Sequence, residues 1–163
     1  MTKILLSLHV LAAIVAVGPV TVAASMFPAA VRKVQVAVPA GAGAGEPAGP
    51  GDVGTVRLLH RICRVYAALG IAVPVLGLAT AAAMGVLGDA WLITSITLTA
   101  VAAGLLVAFV LPRQEELLEE LAGRRPVERA RTARLAMFTG VFNLLWATVT
   151  VLMVVRPGST TGA

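Results

Sequence analysis

The first place in this sequence where a side chain could do chemistry is a histidine set among small residues. His9 lies about five residues inside a long apolar run, and at about 100° per helical residue it shares a face with Ala13, Ala16, Val20, Ala23 and Phe27. Small-residue stripes let helices approach closely, so His9 is expected to point into a helix bundle. A polar group inside an apolar segment is costly and is a functional candidate for that reason. A neutral imidazole there can hydrogen-bond a neighbouring helix, ligate a haem or metal axially, or pass a proton.

The other candidates are fewer and weaker. His60 stands beside Arg57, Arg61 and Arg64 at the start of a second apolar run, a placement that suits a membrane interface. By helical rise the two histidines lie on the order of 20 Å apart along the membrane normal, too far to clasp one haem. A second axial ligand for His9 would have to come from its own depth, where Met84 or Met153 could serve. Thr139, Asn143, Trp146 and Thr150 fall on one side of a helix near the carboxyl end, giving interhelical hydrogen bonds or the lining of a small polar path. Pro19 and Pro74 each remove a mid-helix hydrogen bond, and a break of that kind serves either packing or an ion site. Ala67, Gly70, Pro74, Gly77 and Ala81 form a close-packing face, as do Gly104 and Ala108. Cys63 is the single cysteine, which reads as a small buried residue. No triad or Cys/His metal cluster assembles, so catalysis by side chains alone is not expected.

The elements that must position these residues are membrane helices. Of 163 residues 58% are hydrophobic and 13% charged, a balance that calls for lipid as solvent. Apolar stretches are marked at Ile4–Phe27, Leu58–Leu87, Ala90–Leu111 and Leu135–Val155, each long enough to cross a hydrocarbon layer of about 30 Å as a helix. None contains Asp or Glu for proton or cation coupling. The backbone must satisfy itself in lipid, and no alternating barrel pattern is present. The fold class is therefore all-α: an integral membrane four-helix bundle forming one domain over residues 1–163.

The +5 charge does not point to nucleic acid, because the basic residues sit at helix ends and in two loops without interleaved aromatics. It points to topology. Lys3 and Arg156 stand on one side, whereas Arg32, Lys33, Arg57, Arg61, Arg64, Arg113, Arg124, Arg125, Arg129, Arg131 and Arg134 stand on the other. Two against eleven predicts a bacterial plasma-membrane protein with both termini outside the cytoplasm. Lys3, the apolar run and Val22-Ala23-Ala24 also resemble a cleavable signal peptide, but cleavage would oppose that charge count. Whether the first helix is ever cleaved stays open.

Residues 39–54, rich in Gly and Pro, are expected to form a flexible linker and not a phosphate loop, since no Gly-Lys-Ser/Thr follows. Gln114 to Ala122 holds strong helix formers with Leu117, Leu118 and Leu121 on one side. Gly123 is expected to end that helix and Pro126 to open the next. This predicts a protruding cytoplasmic helical hairpin between helices 3 and 4, with Glu115, Glu116, Glu119 and Glu120 facing Arg129, Arg131 and Arg134. Its charges serve solvated ion pairing or a docking surface for a partner.

The opening Leu8-His9-Val10-Leu11-Ala12-Ala13-Ile14-Val15-Ala16-Val17-Gly18-Pro19 resembles the first helix of an uncharacterised bacterial family of small four-helix membrane proteins. More distantly it is similar to the membrane domains of copper-resistance D proteins and the HemJ-type protoporphyrinogen oxidase. In that wider group the equivalent histidine is followed by tryptophan and then x-Gly-Gly, and in the oxidase it is implicated in haem binding. Here Ala16 takes the tryptophan position and Pro19 the second glycine, leaving His9 and Gly18. Three functions are carried forward. The first is a non-enzymatic subunit or accessory of a membrane assembly, acting with a membrane-protein partner or as a homo-oligomer. The second is a haem b redox protein with His9 as axial ligand and Met84 as its possible companion. The third is a small-solute or ion carrier built around Pro19, Pro74 and Asn143.

Overall fold

The structure is a computed structural model that describes residues 2–37 and 50–158, with side-chain burial for 2–35 and 53–158. These residues form helices α1 (Thr2–Ala37), α2 (Pro50–Leu69), α3 (Ala72–Met84), α4 (Ala90–Leu105), α5 (Leu111–Ala122) and α6 (Arg129–Val155), with a π-helical turn at Leu106–Val110. No described residue lies in a strand. Four helices are long and apolar enough to cross a membrane: Thr2–Gln35, Val53–Met84, Ala90–Ala122 and Arg129–Val155, with mean hydropathies of 1.9 to 2.2. Within their most apolar windows only 11 to 22% of residues are buried in the protein, so the remaining apolar surface must face lipid. Ile4, Leu11, Ile14, Leu144 and Val154 are among those exposed side chains.

α1 is the central helix, packing against α2, α3 and α6, while α4 packs on α6. The spans thus run second, first, fourth, third, and contact of α5 with α2 closes the ring at one end. We call this the hairpin end, and the opposite end, with Thr2, Met84 and Val155, the termini end. The main core belongs largely to the hairpin half. Val20, Ala23, Ala24, Phe27, Val31 and Val34 of α1 meet Val56, Leu59 and Cys63 of α2, Leu117 and Leu121 of α5, and Leu135 and Phe142 of α6. The stripe below His9 faces inward, as its periodicity predicts: Ala16, Val20, Ala23 and Phe27 are all buried.

Several boundaries differ from expectation, each for a physical reason. α1 does not stop at Phe27 but continues to Ala37, because Val31 and Val34 keep its inward stripe going while Arg32 and Lys33 face out. α2 begins at Pro50, inside the expected linker; proline suits a first helical position, where its missing N–H would be unsatisfied anyway. Residues 39–49 of that linker lie outside the described residues. The second span is broken at Gly70–Ile71, one turn before Pro74, which has no N–H for the Gly70 carbonyl. That carbonyl takes the Val73 N–H instead, at 3.1 Å. α3 ends at Met84 rather than Leu87, on Gly85 at φ +71°, the left-handed cap that glycine adopts without a Cβ penalty. In the third span the π turn ends two residues before Pro112, whose missing N–H interrupts the i→i−4 ladder.

The hairpin itself departs from expectation in two ways. It does not stand alone, because α1 and α2 accompany it: Gln35 Nε2 donates to the Val127 carbonyl at 2.9 Å, and Val127 is buried. Gly123 ends α5 as expected, standing at its C-cap, and Arg124 follows as the left-handed residue of the turn, while Pro126 is placed differently from expectation. Arg124 has φ +51°, its N–H bonds the Leu121 carbonyl at 3.1 Å, and the Arg125 N–H bonds the Glu120 carbonyl at 2.9 Å. Pro126 lies before the start of α6, whose N-cap is Glu128. The acid–base pairing is carried by Arg131, which bonds Glu120 and sits 3.4 Å from Glu116. With the Arg131 side chain 45% exposed, such pairs add little stability.

Candidate functional site

His9 meets the second span at the notch that Gly77 leaves open. Its Nδ1 is 3.0 Å from the Val73 carbonyl oxygen. A carbonyl only accepts, so Nδ1 carries the proton of this bond, an arrangement that in a neutral imidazole leaves the lone pair on Nε2. A Cβ at Gly77 would stand 2.9 Å from His9 Cε1 and 3.3 Å from Nδ1. The glycine is therefore matched to the histidine: a Cβ at 77 would stand closer than contact allows, and the ring would have to shift to admit it.

The methionine partner proposed for haem is not at this level. Met84 is seven residues beyond Gly77 on α3, about 10 Å along the axis at the helical rise. Met153 packs against the termini-end cluster of Ala81, Trp91 and Leu92. His9 is thus brought together with the backbone of α3 and with neither methionine. A haem ligated by both His9 and Met84 does not fit this arrangement.

The polar stripe of α6 is divided by the fold. Thr139 is buried. Asn143 Nδ2 donates to Ser25 Oγ of α1 at 3.0 Å, and Ser25 in turn donates to the Thr21 carbonyl at 2.6 Å. Asn143 Oδ1 and Thr139 Oγ1 are both buried without a hydrogen-bond partner among the described residues. Thr150 is exposed and donates to the carbonyl of Trp146 on its own helix, at 2.9 Å, so it joins no path.

His60 does not face outward with its neighbours Arg57, Arg61 and Arg64. It is buried, and its Nδ1 lies 3.1 Å from Oε1 of the fully buried Gln114, which donates through Nε2 to Cys63 Sγ at 3.6 Å. An amide oxygen only accepts, so Nδ1 donates here too. This trio ties α2 to α5. Sequence reading missed Gln114 and Ser25; the available signal for Gln114 was a polar residue on the face shared by Leu117 and Leu121. Among the described residues no three His, Cys, Asp or Glu side chains are grouped to hold a metal ion.

Comparison with known proteins adds no relative: no family model, no curated protein and no solved structure matches this chain. The class that fold and site define is a multi-pass helical membrane bundle with polar fasteners between its helices.

Proposed function

We propose that this protein is a non-enzymatic multi-pass membrane component, a subunit or accessory of a larger membrane assembly, whose intramembrane polar residues fasten its own helices. The observation that carries this reading is His9 seated in the Gly77 notch and bonded to a backbone carbonyl of α3. Asn143 with Ser25, and His60 with Gln114, support it by serving the same purpose between other helix pairs. The chain sits in the bacterial plasma membrane with the hairpin end in the cytoplasm and both termini outside, following its cationic asymmetry. It resembles the uncharacterised four-helix family in its opening helix.

The test is a visible spectrum of the detergent-purified protein together with liposome flux. Neither a Soret band nor solute flux is expected, and His9→Ala should change stability alone. A second reading, haem b held through His9, is favoured by one feature: the Nδ1 bond to Val73 leaves Nε2 free, the tautomer an axial ligand needs. Near-stoichiometric haem in the wild type, lost in His9→Ala and kept in His60→Ala, would replace the first reading with this one. Flux abolished by Asn143→Ala would replace it with the carrier. Orientation is checked separately with Glu119→Cys and Gly88→Cys in intact cells. An impermeant thiol reagent should label the cysteine at 88 and spare that at 119, and the reverse pattern would invert the topology.

A further inference from the structure

At the hairpin end the outward surface of the third span changes from apolar to charged within about two turns. Val107 and Phe109 are exposed, and Glu115 and Glu116 follow. At this boundary Arg113, Glu116, Leu117, Arg131 and Arg134 line an open cleft of about 180 Å³. At about 30 Å³ per water it has room for a phosphate group.

The arginines in it are not equivalent. Arg131 is committed to Glu116 and Glu120. Arg113 and Arg134 have no carboxylate partner among the described residues. The Arg113 guanidinium carbon lies 4.5 Å from the ring centroid of Phe138 and 5.8 Å from that of Phe109, over a stacked ring pair 5.1 Å apart. Cation–π attraction holds the fork in place there. Yet its Nη1 is buried and donates to no acceptor among the described residues. A buried donor left unpaired is costly, and a guanidinium fork is matched to the oxygens of a phosphate. Glu120, whose Oε2 is also unpartnered, is not part of the cleft lining.

We propose that this cleft binds the phosphate group of an anionic lipid. Arg113 and Arg134 donate to its oxygens, and its acyl chains run along exposed Phe109 and Val107. The apolar surface adjoining the cleft favours a lipid over a soluble phosphate, and a basic pocket at the membrane edge is the chemistry that retains anionic headgroups. The proposal goes beyond the role assigned above and holds for either topology.

The full chain in detergent is titrated with phosphatidylglycerol, phosphatidylcholine and inorganic phosphate in separate arms, and bound ligand is counted by native mass spectrometry. Phosphatidylglycerol should bind roughly tenfold more tightly than phosphatidylcholine, and Arg113→Gln and Arg134→Gln should each remove most of that preference. Arg129→Gln, outside the cleft lining, should keep it. Arg134 is exposed, so its variant remains informative even where Arg113→Gln fails to fold. Equal binding of the two lipids, or preference unchanged in Arg134→Gln, overturns the proposal. Inorganic phosphate binding as tightly as phosphatidylglycerol overturns the lipid source and assigns the cleft to free phosphate.

Discussion

The two halves of the bundle are held together differently. In the hairpin half a continuous apolar core joins all four spans, and contact of α5 with α2 closes the ring. In the termini half α3 packs on α1 and α4 on α6, with a small cluster of Ala81, Trp91 and Leu92 between them. Large side chains do most of the joining in the first. The second has only that small cluster, the Arg156 guanidinium 5.8 Å from the Trp91 ring centroid, and the histidine–carbonyl bond. In lipid, apolar burial gives no net drive to helix association, so close packing and interhelical hydrogen bonds must supply it. Where packing is thin, one polar fastener matters more.

The largest effect that separates the halves should come from the core. Phe27 is fully buried in a core drawn from all four spans, so Phe27→Ala should cost about 3–5 kcal/mol. Leu92→Ala in the termini cluster should cost less, near the lower end of about 2–5 kcal/mol. Unfolding equilibria in mixed micelles would compare them, and an equal or larger loss at Leu92 would undo the contrast.

A smaller loss is expected from the buried trio. Gln114→Leu leaves His60 without its acceptor and Cys63 without its donor, at a cost of about 1–3 kcal/mol. Thermal unfolding followed by near-ultraviolet dichroism should show the drop. An unchanged midpoint would mean that the trio contributes nothing to joining α2 and α5.

One change should stabilise. Arg124 is the left-handed residue of the turn after α5, where a residue with a Cβ pays about 1–2 kcal/mol. Arg124→Gly should therefore raise the midpoint, and a fall would show that the arginine side chain holds the turn.

The four spans and the inward stripe of α1 were legible because hydropathy and the 3.6-residue period are local properties. The continuation to Ala37 was hidden by Arg32 and Lys33, which end the apolar run although Val31 and Val34 keep the period. Pro112 was visible, but a proline does not say whether the helix above it will break, as before Pro74, or absorb the change in a π turn. The pairing of partners was out of reach. His9 and Gly77 were each readable on their own helices, yet their meeting depends on how far α3 is shifted along α1, which no local pattern encodes. The same holds for His60 and Gln114, and for Asn143 and Ser25, whose bonds span 54 and 118 residues of sequence.

The central claim, that His9 is a fastener fitted to Gly77, is tested most directly by a double-mutant cycle. Gly77→Ala alone makes the ring shift against its carbonyl bond and should destabilise by about 0.5–1.5 kcal/mol through that bond. His9→Ala alone should cost a similar amount through the lost interhelical bond. With His9 absent the methyl group at 77 has no contact beyond its own helix backbone closer than 3.6 Å, so the double variant should be no less stable than His9→Ala, a coupling of about 0.5–1.5 kcal/mol. Strictly additive losses would contradict the account, because they would mean that ring and notch do not touch.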